Sequence, residues 1–94
     1  MKFAFIILDH FESSVDRAEI HNGDARIIGV ANMEEAVAVA KELQQDGADC
    51  IELCGAFGTE GAKKIIDATG NTIPVGYVTH LPEQDDIYIR TFGN

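Results

Sequence analysis

Five side chains of this sequence combine reactive chemistry with a place at or near the end of an apolar run: Asp9, His10, Glu52, Cys54 and His80. Cys54 leads directly into Gly55-Ala56-Phe57-Gly58-Thr59, a glycine turn that opens a helical stretch. A helix N-terminus carries unpaired N–H groups and a positive dipole end, which together favour an anion such as a phosphate or carboxylate. On that ground the expected ligand-binding set is Gly55, Ala56, Phe57, Gly58 and Thr59, with Asp9 beside it. The same dipole lowers a thiol pKa, so an exposed Cys54 with His10 or His80 as its base would be a candidate nucleophile. Two plainer readings stand next to these. The glycines also suit a strand-to-helix turn that needs positive φ, and a free cysteine is most often a small buried apolar residue.

Glu52 is harder to explain away. Period-two alternation puts Cys50, Glu52 and Cys54 on one face of a strand and Ile51 and Leu53 on the other. A carboxylate on an interior strand must be paired, hydrogen-bonded, protonated or placed at a subunit contact. Its functional readings are general base and metal ligand; its structural ones are an ion pair and a solvated patch. On one strand Cys50 and Cys54 lie about 13 Å apart, which excludes a disulfide between them. No C-x-x-C or H-x-x-x-H spacing occurs, so no metal is expected. The glycine turn lacks both the P-loop ending and the G-x-G-x-x-G fingerprint, so no nucleotide cofactor is expected either. His21, beside Asn22-Gly23, reads as an exposed turn residue.

The elements that must position these residues follow from periodicity. Lys2 to Asp9 is a near-continuous apolar run, suited to a central parallel strand covered on both faces. Between His10 and Asp24, Ser13-Ser14 can cap a short crossover helix, while Asn22-Gly23 is a hairpin signal; a short helical turn can precede a hairpin, and a helix is the expected reading. Ala25 to Val30 is a second main strand. Asn32 and Glu35 form a capping box for a helix from Met33 to Gln45, ended by Asp46-Gly47. Ala48 to Cys54 is the third strand, and Thr59 is the expected N-cap of a helix burying Ala62, Ile65, Ile66 and Thr69. Ile73 to His80 is the fourth strand, with Pro74 confined to its start. The tail, Leu81 to Asn94, has acids after Pro82 that suit a helix start and β-branched alternation that suits a strand. It is apolar enough to dock on its own domain or on a neighbour.

The whole is a single α/β domain over residues 1–94, a mainly parallel four-stranded sheet in the order β-(α)-β-α-β-α-β. Every strand of a parallel sheet ends on one edge, which is where ligands favour binding. That topology brings Asp9, His10, Cys54 to Thr59 and His80 to a common edge. Two or three helices are too few to cover four strands on both sides, so a homo-oligomer is expected.

Glu-Leu-Cys-Gly-Ala-Phe-Gly (Glu52 to Gly58), taken with Gly29-Val30 and with Pro-Val-Gly-Tyr-Val (Pro74 to Val78), resembles a family of short prokaryotic proteins of unknown function. The resemblance covers most of the chain. It implies a small α/β domain and implies no activity, substrate or catalytic residue.

Composition narrows the partners. Sixteen acids against seven bases give a net charge of −9, which disfavours nucleic-acid backbones and anionic membranes. The apolar start is too short for a signal peptide or a bilayer span, and two thiols suit a reducing compartment, so a cytoplasmic location is expected. Three functional readings remain. The first is a module binding a small anionic metabolite at the C-terminal edge of the sheet. The second is an enzyme using Cys54, Glu52 and a histidine for acid–base or nucleophilic chemistry. The third is a structural or partner-binding oligomeric module.

Overall fold

The computed structural model describes residues 1–93, and its centre is the first apolar run. Phe3–Leu8 forms β1, the middle strand of a five-stranded sheet. Ala25–Val30 (β3) and Cys50–Leu53 (β4) flank it, both parallel to it. Val75–Tyr77 (β5) adds a parallel edge beside β4, and Arg17–Ile20 (β2) an antiparallel edge beside β3. The spatial order is β2-β3-β1-β4-β5.

The fifth strand corrects the expected crossover helix between His10 and Asp24. Ser13-Ser14 do not start a helix. They sit in a tight turn closed by Asp16, whose backbone N–H donates to the Glu12 carbonyl at 2.7 Å and whose carboxylate accepts the Glu12 N–H, also at 2.7 Å. The Asn22-Gly23 signal prevails instead. His21, Asn22 and Gly23 all take positive φ, turning β2 back along β3. A segment with no apolar stripe of helical period has nothing to bury as a helix, whereas Ala18 and Ile20 extend the alternation of a sheet.

Met33–Gln45 (α1) starts on one half of the expected capping box, the Asn32 side chain accepting the Glu35 N–H at 2.8 Å; Glu35 does not return the bond to the Asn32 N–H but reaches one residue further back. The Glu35 carboxylate accepts the Ala31 N–H at 3.3 Å and the Ser13 N–H at 3.2 Å, fastening the preceding loop to the helix. Gly58–Ala68 (α2) follows a 3-10 turn over Gly55–Phe57. Both helices pack on the same side of the sheet. There Ala4, Ile6, Ile28, Ile51 and Leu53 meet Ala36, Val39, Ala40 and Leu43 of α1 and Ala62 and Ile65 of α2. Small alanines on the helix faces let the helix backbones approach the sheet closely. Of the expected buried face of α2, Ala62, Ile65 and Thr69 are buried and Ile66 half-buried.

The tail takes the helical of its two readings, as Asp85–Phe92 (α3), entered through a 3-10 turn over Pro82–Gln84. None of its residues is buried. The strand expected over Ile73 to His80 is shorter, because the chain leaves the sheet after Tyr77. The expectation that β1 is covered on both faces also fails. With α1 and α2 on one side, the other side of the sheet stands open.

Candidate functional site

The C-terminal edge of the parallel strands is where the sequence places its reactive groups, and the structure shows what each does there. Asp9 and His10 follow β1 and are exposed. The Asp9 N–H donates to the Val30 carbonyl at 3.0 Å, carrying the β1–β3 pairing one residue past the strand. Cys54 follows β4, its N–H donating to the Ile6 carbonyl at 3.1 Å. Its Sγ accepts the Leu8 N–H at 3.3 Å, so the half-buried thiol satisfies the last backbone donor of β1. No histidine lies within hydrogen-bonding distance of that sulfur among the described residues. Both cysteines are free.

The glycine turn lies close to the exit of β5: a Cβ on Gly55 would stand 3.4 Å from the Val78 carbonyl oxygen. Phe57 turns inward, buried in the core, its ring and Cβ packed against Gly61. Gly58 has φ +60°, a conformation that glycine takes without strain. Thr59 is not the N-cap that its position suggested. It lies inside α2, and its hydroxyl meets the Tyr77 hydroxyl at 3.1 Å. The first turn of α2 therefore has no side-chain cap and carries Glu60 as its acid, paired with Lys63 at 3.6 Å.

His80 faces away from this turn. Its Nε2 is 2.7 Å from Asp85 Oδ1 and its ring packs against Tyr88 at a tilt of 48°, with centroids 3.9 Å apart. The edge thus collects the expected residues by topology without joining them: Cys54 is tied to β1, His80 to α3, and His10 to neither. Among the described residues no group of three His, Cys, Asp or Glu comes together as a metal site. Surface concavities lie elsewhere, one beside Asp86, Ile89 and Arg90 and one beside Arg17, Glu19 and Arg26.

The feature with the clearest chemical meaning is the open face of the sheet. The strand registers place Phe3, Phe5 and Ile7 of β1 on it with Ala25, Ile27 and Gly29 of β3, Ala18 and Ile20 of β2, and Cys50 and Glu52 of β4. Four of its large apolar side chains are strongly exposed: Phe3 at 45%, Phe5 at 43%, Ile27 at 41% and Ile20 at 68%. Phe11 covers one corner, its ring lying directly over Gly29. Glu52 stands between Phe5 and Gly76 in the register, its carboxylate lying across Gly76, where a Cβ would come within 2.8 Å of Oε2. It makes no ion pair among the described residues. Cys50, next to it on the same face, has its thiol pKa pushed up, first by burial and then by the Glu52 charge. The alternation Phe3-Ala4-Phe5-Ile6 carried the signal for this face, large residues on one side and core on the other.

These features define a small α/β domain whose mainly parallel sheet is covered by helices on one side only. The chain belongs to the family of unknown function DUF6506, which it matches over residues 1–93. This agrees with the resemblance drawn from Glu52 to Gly58. No curated protein and no solved structure shows a significant match to it. Among the described residues no helix is long and apolar enough to cross a membrane.

Proposed function

We propose that the chain is a homo-oligomeric structural module whose open sheet face is its assembly surface. The observation that carries this reading is the contiguous exposure of Phe3, Phe5, Ile20 and Ile27 on one side of a sheet whose other side holds the packed core. Soluble single-layer arrangements rarely leave such a patch in water, and patches of this kind mark association surfaces. The free thiols suit a reducing, cytoplasmic setting. Native mass measurement at micromolar concentration tests the assembly, with a multiple of the chain mass as the expected result. Phe5→Glu and Ile27→Lys change exposed side chains, so each folds as before and shifts the mass to that of one chain. A parent protein that stays monomeric overturns the reading.

A second reading keeps the strand edge as a site for a small anion. What supports it is the first turn of α2, which has no side-chain cap and sits beside the Thr59 and Tyr77 hydroxyls. Thermal shifts against phosphorylated and carboxylated metabolites test it, because occupancy of the native state raises stability. A flat panel at millimolar ligand overturns it.

A further inference from the structure

The open sheet face and α3 are two orphaned apolar surfaces of one chain. In α3, Tyr88, Ile89 and Phe92 fall within one arc at helical spacing, with the Tyr88 and Phe92 rings 5.4 Å apart. Ile89 is 54% exposed and Phe92 78%. The helix makes no substantial contact with any strand of its own sheet; its substantial contact is with the 3-10 turn that leads into it. That turn and the His80 brace fix its direction. The bond from His80 to Asp85 and the tilted contact of its ring with Tyr88 hold the start of α3 against the residues that follow β5.

We infer that in the assembled protein α3 of each copy lies on the open sheet face of a second copy. This deepens the assembly reading above and rests on it. Area decides between this and simple face-to-face contact. The four exposed sheet residues offer about 400 Å2 per chain, at roughly 100 Å2 for each half-exposed large side chain. Two such faces alone bury on the order of 800 Å2 in total, the level of incidental lattice contacts. With Ile89 and Phe92 of each chain added at the same rate, the total reaches roughly 1,200 Å2, the lower end of the range of specific dimers. The charges are complementary as well. Glu52 on the sheet face and Arg90 on the flank of α3 both lack an ion pair among the described residues. An exchanged helix brings these opposite charges to one surface.

The full-length chain tests this by sedimentation equilibrium, far-UV circular dichroism and an isotope-filtered NOE spectrum of a half-labelled sample. The expected parent is a dimer in which NOEs join Ile89 or Phe92 of one copy to Phe5 or Ile27 of the other. Ile89→Asp/Phe92→Asp weakens the dimer at least tenfold and leaves the dichroism of the body unchanged, since neither side chain supports the core. NOEs confined to one copy, or a double variant that dimerises as tightly as the parent, overturn the exchange and leave the sheet-face reading standing. Phe5→Glu and Ile27→Lys proteins that both dimerise as tightly as the parent overturn both readings, and so does a monomeric parent.

Discussion

Cys50 opens β4 and Cys54 follows its last residue, and their thiols have different surroundings. The Cys54 sulfur accepts the Leu8 N–H, a bond that ties it into the β1–β4 junction. Cys50 is raised by burial and by the Glu52 and Asp49 charges, against a smaller lowering by its bond with the Ala4 backbone. A thiol with a raised native pKa contributes stability that is complete below its unfolded pKa and is lost as pH rises through the native one. In native protein, iodoacetamide therefore modifies Cys50 more slowly at neutral pH than in the unfolded chain. Glu52→Gln speeds the reaction by removing a repelling charge, as peptide mass mapping of the alkylated protein will show. Gly29 is a residue of the same kind, set by a neighbour. A Cβ there would stand 2.5 Å from the Phe11 ring, so Gly29→Ala costs about 1–3 kcal/mol of stability, read from the urea midpoint. Nothing local to Gly29-Val30 announces Phe11 as its cover, because seventeen residues of chain, with a hairpin among them, separate the two.

The two long helices show which element signals are local. The Asn32 cap of α1 was legible because the capping side chain and the N–H it accepts lie three residues apart, and that bond forms as read. Asn32→Ala costs about 1 kcal/mol in the same urea titration. Thr59 offered an equally good local signal and failed. The start of α2 is decided by Phe57, which is drawn into the core against Gly61, and by Gly58 at positive φ, so Thr59 is carried one step inside the helix. Its replacement by alanine loses the Tyr77 contact and costs less than loss of the α1 cap. For α3 the decisive element is the His80–Asp85 bond. Asp85→Asn removes the charge from that bond, and hydrogen exchange at residues 86–92 quickens while the protection of β1 stays unchanged.

At the scale of the molecule, one covered and one open sheet face leave a 94-residue chain with a thin core for its size. A second copy supplies the missing layer. If it does so, stability depends on concentration by mass action, and a tenfold increase in protein raises the apparent Tm by about 3–5 °C. A Tm independent of concentration speaks for a monomer. The Ile89→Asp/Phe92→Asp protein is expected to melt at one temperature across the same range.

Periodicity alone determined the α/β class, the parallel centre of β1, β3 and β4, both long helices and the face on which Glu52 lies. Each of these follows from which side of a strand or helix a side chain occupies, and that is set by spacing of one to four residues. Tertiary structure decided the rest. It made the His10 to Asp24 segment an edge strand, turned His80 toward α3 and away from Cys54, and put both helices on one side of the sheet. Those outcomes depend on contacts between residues far apart in the chain, where burial against a particular neighbour outweighs the local preference. The reactive residues could be named from their spacing; whether they meet was a matter of packing, and packing gave Cys54 and His80 separate structural partners.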